Sequence, residues 1–209
     1  TDQRGTGFNR VAGIGADIGA FEVQPAKVLS IQVNDGSAQR SMVTSLSVMF
    51  DSHVTFSAGA AAAFSLVNST NANQPVTLAA ATNDAGPGTV VTLTFTGGSV
   101  NPAGSLSDGR YTLTILPSGF SVAGFDGNGN GVAQGSPTDD FTLAGTPGIA
   151  PNLFRLFGDA DGDGTISAAD FIQFRLAFGG TSVVFDFDSD GSVSAADFIQ
   201  FRLRFGGSI

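Results

Sequence analysis

The chain lacks cysteine and tryptophan, and its 209 residues include one lysine, one glutamate, one histidine and one tyrosine. Without cysteine there is no disulfide scaffold, no thiolate metal site and no cysteine nucleophile. Nine basic residues against 18 acidic ones give a net charge of −9. Phosphate recognition needs clustered Lys and Arg, so a nucleic-acid binder driven by a basic patch is excluded. A lone His53 and a lone Glu22 argue against ordinary general acid–base catalysis. No apolar run is long enough to span a bilayer: the longest, residues 57–67, has 11 residues. The chain opens on Thr1 without a charged-then-apolar leader, as expected of a fragment or a processed product. The absence of disulfides fixes no compartment, since reduced chains occur everywhere.

What is present is 42% hydrophobic residues, enough to bury a sizeable core, together with 29 glycines and 19 phenylalanines. From about Ala26 to Leu143, short runs alternate apolar and polar residues. They are Val28–Val33, Met42–Phe50, Val76–Ala80, Val90–Phe95, Tyr111–Ile115, Phe120–Val122 and Phe141–Leu143. Turn residues separate them, as in Asn34-Asp-Gly36 and Ser107-Asp-Gly109. Seven such strands predict an immunoglobulin-like antiparallel β-sandwich over residues 26–150. The segment Asp108-Gly-Arg-Tyr111 resembles a strand entry at which a tyrosine hydroxyl bonds the backbone. The run Ala58–Ala63 fits either a small helix or a tight strand pairing.

Residues 151–209 carry an internal repeat. Asp159–Gly180 recurs as Asp186–Gly207, with 17 of 22 positions identical. Each copy opens Asp-x-Asp-x-Asp-Gly and has a further Asp at position 12, the pattern of a calcium loop. In the first copy the ligand positions are Asp159, Asp161, Asp163, Thr165, Ser167 and Asp170. In the second they are Asp186, Asp188, Asp190, Ser192, Ser194 and Asp197. Carboxylates this close repel one another unless a cation lies among them. The segment's eight Asp and four Arg give −4, which two Ca²⁺ would bring to zero. Magnesium is disfavoured because it keeps several waters and rarely uses an all-protein cage.

A helix should follow each loop and stop at Gly179-Gly180 and Gly206-Gly207. Phe171, Phe174 and Phe178 share one face, with Ile172 and Leu176 beside them. This width of apolar surface predicts packing against the twin helix through Phe198, Phe201, Phe205, Ile199 and Leu203. Helices so short are marginal alone, so calcium binding and folding should be coupled.

The duplicated loop-plus-helix, about Phe157 to Gly207, resembles type I dockerin, down to Asp rather than Glu at position 12. The resemblance implies two bound Ca²⁺, an extracellular setting and docking onto a cohesin-like partner. Dockerins commonly attach polysaccharide-degrading enzymes to such partners. The near-identical repeats imply a pseudo-twofold surface with two binding orientations. Many cellulosomal dockerins carry Ser-Thr at loop positions 10 and 11, where this chain has Ala168-Ala169 and Ala195-Ala196. Recognition would then rest on these alanines with Gln173, Arg175, Gln200, Arg202 and Arg204. The order of β domain, apolar linker Asn152–Phe157 and paired loops is similar to the C-terminal end of large extracellular proteins of planctomycete-type bacteria. There the partner is as readily a cell-envelope component. Residues 1–25 are Gly-rich and resemble the closing segment of a secreted parallel β-helix, expected to be poorly ordered alone.

Weaker signals remain. Asp126, Asn128 and Asn130 space three oxygen side chains at positions 1, 3 and 5 of a third candidate Ca²⁺ loop. Position 12 is Pro137, so Asp139 or Asp140 would have to substitute; a plain Gly/Asn hairpin is the alternative. Asn68-Ser-Thr70 matches a glycosylation sequon, a short and common motif. Leu153, Phe154, Leu156 and Phe157 either seal the paired loops onto the β domain or belong to the small module's own core. The expected function is thus a non-catalytic, secreted calcium-binding docking module. The alternatives are a purely structural calcium-rigidified cap, and the tail of a polysaccharide-degrading enzyme whose catalytic domain lies upstream.

Overall fold

The computed structural model of the chain describes residues 6, 11–12, 15–16, 24–97, 100–121, 124–144 and 152–209. The expectation for residues 1–25 lies almost wholly outside them. Within that stretch β1 (Val11–Ala12) pairs antiparallel with β2 (Gly15–Ala16).

The protein is mainly antiparallel β, with two short helices at its C-terminal end. One group of strands orders β3 (Val28–Val33), β4 (Ser45–Phe50), β7 (Val90–Thr96) and β6 (Gln74–Asn83). A second group orders β6, β5 (Phe64–Asn68) and β8 (Gly109–Ile115), with β9 (Phe141–Ala144) and β10 (Phe154–Arg155) both paired to β8. The ten-residue β6 joins the groups: Gln74–Val76 pair with β5, and Thr77–Asn83 pair with β7. The result is a single curled eight-stranded sheet.

Alternation sets its faces. In β4, Leu46, Val48 and Phe50 point inward and are fully buried, while Ser45, Ser47 and Met49 alternate with them. Val91, Leu93 and Phe95 of β7 do the same, with Leu46 opposite Leu93 and Val48 opposite Val91. From the other group come Phe64, Leu66, Tyr111, Leu113 and Ile115, and all join one core. The Tyr111 hydroxyl donates to the Ser107 carbonyl at 2.7 Å, the backbone bond expected at this corner. Burial pushes that phenol up to about 12.

The alanine run takes its small-helix alternative, one expected strand is not formed, and the sequon asparagine is buried. The run 60–63 is a 3₁₀ turn leading into β5, a strand the alternation did not reveal because Ser65 is its one clearly polar outward residue before Asn68. Phe120 forms only an isolated bridge with Phe56, because its N–H is taken by the Pro117 carbonyl at the end of a 3₁₀ turn; Val122 lies outside the described residues. Asn68 is buried, with its amide nitrogen on the Tyr111 hydroxyl and its oxygen capping Thr70 and Asn71, so the sequon asparagine is inaccessible in the folded chain.

The C-terminal part holds α1 (Ala168–Ala177) and α2 (Ala195–Arg204). Both roles of the apolar linker hold together. Leu153 packs into the β core, whereas Phe154, Leu156 and Phe157 join a second core that also takes Met42 from the β half. The helices meet through Phe171, Phe174, Phe198 and Phe201, with Phe174 and Phe201 centroids 4.9 Å apart. The neighbouring stripe does not pack as expected. Ile172, Leu176, Ile199 and Leu203 are 57–78% exposed, and Phe178 and Phe205 about half exposed. Residues 27 apart in the two repeats meet face to face at one ridge, which leaves the adjoining ridge of each helix outside.

Candidate metal centres and the paired-helix face

Each C-terminal loop is shaped by the same hydrogen bonds. The position-6 glycine N–H donates to the position-1 carboxylate at 3.0 Å, from Gly164 to Asp159 and from Gly191 to Asp186. Position 5 donates to position 3 at 3.2 Å, from Asp163 to Asp161 and from Asp190 to Asp188. Position 7 donates to position 5, from Thr165 to Asp163 at 2.7 Å and from Ser192 to Asp190 at 2.8 Å. Gly164 and Gly191 both sit at positive φ, 84° and 90°, which the turn demands.

Position 12 does two things. Asp170 Oδ1 accepts from Ala160 N–H and its Oδ2 from Ser167 N–H; Asp197 does the same with Phe187 and Ser194. Ser167 and Ser194, at position 9, are the N-caps of α1 and α2 and accept from Ala169 and Ala196 N–H. The closing carboxylate of each loop is therefore the third helical residue of a capping box, which starts the helix where the loop ends.

The loops and helices are also cross-locked. Ile166 of the first loop exchanges backbone bonds of 2.8 and 2.9 Å with Gly206 and Gly207 beyond α2. Val193 of the second exchanges two bonds of 2.8 Å with Gly179 and Gly180 beyond α1. Neither repeat completes its own hydrogen bonding without the other.

The electrostatics fit a divalent cation. Carboxylate oxygens of Asp159, Asp161 and Asp170 lie within 4.8 Å of one another, as do those of Asp186, Asp188 and Asp190. Asp159, Asp170, Asp186 and Asp197 are buried, and Asp186 Oδ1 has no hydrogen-bond partner. Burial first, then the charges of Asp170 and Asp161, push the Asp159 carboxyl up to about 6, against the pull of the Gly164 and Gly162 N–H groups. Both clusters of carboxylate oxygens could hold a metal ion. Asp163 and Thr165, and Asp190 and Ser192, complete each loop on its exposed side.

Asp126, Asn128 and Asn130 are likewise brought together, in a loop of the β half. Asp126 is buried and accepts from Gly131 N–H at 2.6 Å. Lys27 Nζ lies 3.5 Å from the same carboxylate. Of the two substitutes for Pro137, Asp139 is the buried one.

Among the docking candidates, Ala168, Ala169, Gln173 and Arg175 of α1 and Ala195, Ala196 and Arg202 of α2 are exposed, and Gln200 is half-buried. Two apolar clefts flank the helix contact. One is lined by Phe171, Phe198, Phe201, Arg202 and Phe205, the other by Phe198, Phe171, Phe174, Arg175 and Phe178. The second lining is the first displaced by one repeat, so the surface carries the pseudo-twofold in its shape.

Arg204 must be withdrawn from the free docking set. Its Nε donates to Asp108 Oδ2 at 2.6 Å, and its Nη1 is held by Gln200. The other Asp108 oxygen takes Arg155 Nη1 at 2.7 Å. Arg155 is 2% exposed, bonds the Ser41 carbonyl through Nε, and lies with Arg204 against the Phe157 and Phe187 rings. Burial lowers the Arg155 guanidinium to about 10. For Asp108 burial acts upward, but Arg155 and Arg204 outweigh it and hold the carboxyl below its usual range. This lock was not read from the sequence, although Arg155 was a visible signal: one charge inside Leu153-Phe-Arg-Leu-Phe157 needs a buried partner.

His53 lies 3.6 Å from Asp84, both more than half exposed. No helix among the described residues is long and apolar enough to cross a membrane. No family model, curated protein or solved structure matches the chain.

Proposed function

We propose that the C-terminal part is a dockerin-like module that binds two Ca²⁺, through Asp159, Asp161, Asp163, Thr165, Ser167 and Asp170 and through the corresponding Asp186–Asp197 set. In this reading the curled sheet is an Ig-like sandwich acting as a non-catalytic spacer. The pair of helices attaches whatever the spacer carries to a cohesin-like or cell-envelope partner outside the cell, in keeping with a role in polysaccharide breakdown. The observation that supports it most is the repetition of one cleft on both helices, each apolar, rimmed by Arg175 or Arg202, and exposed. A surface built twice offers a partner two equivalent orientations. Calcium would supply the charge balance that lets buried carboxylates close the loops and cap both helices.

The test uses the full chain. Calorimetry should show Ca²⁺ uptake by both C-terminal loops, with helical circular dichroism lost on chelation. A panel of cohesin-like domains should bind only with calcium. Arg175→Glu and Arg202→Glu should each leave binding in place, and together abolish it. Helix content indifferent to chelator, or binding unaffected by the double variant, would sink the reading.

The Asp108 lock favours a second reading, in which the module is a calcium-rigidified cap fixed to the β half with no partner. The double charge reversal separates the two, because a cap would tolerate it.

A further inference from the structure

Every buried carboxylate among the described residues lies in one of three loops: Asp159 and Asp170, Asp186 and Asp197, and Asp126 and Asp139. The third pair is in the β half, outside the repeat. Asp139 is fully buried, and its Oδ1 has no hydrogen-bond partner. A charged oxygen in that position costs several kcal/mol unless a cation meets it.

The surroundings say where the cation would sit. Asp126 stands at position 1 and takes the position-6 N–H of Gly131, as Asp159 takes Gly164 and Asp186 takes Gly191. Asn128 accepts from Asn130 N–H at 3.0 Å, and Asn130 from Val132 N–H at 2.9 Å, repeating the bonds from position 5 to 3 and from 7 to 5. The position-9 N–H belongs to Gln134 and donates to Asp139 Oδ2, as Ser167 and Ser194 donate to Asp170 and Asp197. Asp139 therefore occupies the closing role two residues later than the usual position 12, which Pro137 fills. Its backbone carbonyl rests on the loop itself: a Cβ on Gly127 would come within 2.0 Å of it. In the C-terminal loops the matching Oδ1 is taken by a position-2 N–H; here it is the unpartnered atom. The amide nitrogens of Asn128 and Asn130 are drawn off by Thr138 and Gln134, which leaves their oxygens on the loop side.

We infer that Asp126, Asn128, Asn130 and Asp139 form a Ca²⁺ site of the β half, weaker than the C-terminal pair. Two carboxylates replace four, and Lys27 already offsets one of them, at 3.5 Å from Asp126 and 3.4 Å from the Gly129 carbonyl. The ion would stiffen the entry into β3, because Asp126 N–H bonds the Ala26 carbonyl and Ala26 N–H the Gly124 carbonyl. The site is independent of the C-terminal loops and of the docking reading.

The test counts ions on the full chain by calorimetry with CaCl₂ and follows the Gly131 amide by NMR. Wild type should bind three Ca²⁺, and Asp159→Asn/Asp186→Asn should keep one, with the Gly131 shift intact. Asp139→Asn added to that double variant should remove the last ion. Asn128→Ala changes an exposed side chain, so its weakening of the same ion keeps the result readable if Asp139→Asn unfolds. Lys27→Met should tighten this ion roughly fivefold and leave the others unchanged. Two ions on wild type, or a Gly131 amide that ignores calcium, would overturn the inference. Loss of binding by the C-terminal loops alone would instead strike the docking proposal.

Discussion

The two halves of the molecule solve the same problem with different materials. The β half gathers twenty buried apolar side chains into one core and satisfies its backbone through strand ladders. The C-terminal part has nine in its core, one of them Met42 from the β half, and it buries four carboxylates beside them. A core that small supplies only about 3–5 kcal/mol. The difference teaches that hydrophobic burial decides the fold in one half, whereas in the other a small core must also accommodate buried carboxylates, whose charge the proposed ions would balance. The prediction with the largest effect follows. Chelation should unfold α1 and α2 together, since each loop is bonded to the far end of the other repeat's helix. Amide exchange in β4, β7 and β8 should hardly change. Hydrogen exchange with and without EGTA reads both halves at once, and equal loss of protection in both would break the comparison.

Packing gives the next step. Phe201 is 1% exposed and lies among Phe171, Phe174, Phe185 and Phe205. Phe201→Ala should cost about 3–5 kcal/mol. That is as much as the module's core contributes, so this variant should keep its helices only at high calcium. Phe50→Ala removes an equally buried ring from the β core, at a comparable cost. Calcium should rescue the first variant and not the second. Thermal melts at two calcium concentrations distinguish them.

Asp108 joins the halves, and Asp108→Asn is the third step. The substitution keeps the shape but leaves Arg155 buried against a neutral amide and releases Arg204. Removing one member of a buried charged set costs about 3 kcal/mol. The chain should then melt in two transitions, because the linker that feeds both cores has lost its anchor. A single cooperative transition at lower temperature would mean that Phe154, Leu156 and Phe157 join the halves without the charges.

How much of this was legible follows the same division. Strand positions in β7 and β8 were readable because alternation with one buried face is a local signal. The two C-terminal turns and the helices after them were readable because the Asp-x-Asp-x-Asp-Gly repeat and its glycine stops are local too, whereas the capping role of the position-9 serine was not read. What escaped depends on distant partners. Arg204 looks like any exposed helical arginine until Asp108, 96 residues away, is placed beside it. The Ile172/Leu176 stripe looked destined for the core because helical spacing marks two adjoining ridges and does not say which one meets the twin. Asp139 at the third loop was visible only as one of two substitutes, since a closing carboxylate displaced from position 12 has no fixed spacing.

The smallest effect is also the one whose sign separates the halves. In the ion-free chain the Asp159 carboxyl is pushed up to about 6, chiefly by burial, above its ordinary 3.8. The folded state therefore holds a proton that the unfolded chain gives up. Stability from this group is full below about pH 4 and is lost as pH rises through about 6. With solvent screening at the loop rim allowed for, the change is on the order of 1–2 kcal/mol. In chelator, α1 and α2 should thus be more helical at pH 4.5 than at pH 7.5. With calcium the order reverses, because the ion needs the deprotonated carboxylate and protons compete for it below about pH 6. Asp108 is held low by its two arginines and stays ionised throughout this range, so the lock to the β half should not titrate. Circular dichroism at 222 nm across pH 4–8, with calcium and with EGTA, should give curves of opposite slope. Parallel curves would mean that no cation is needed to keep these carboxylates buried.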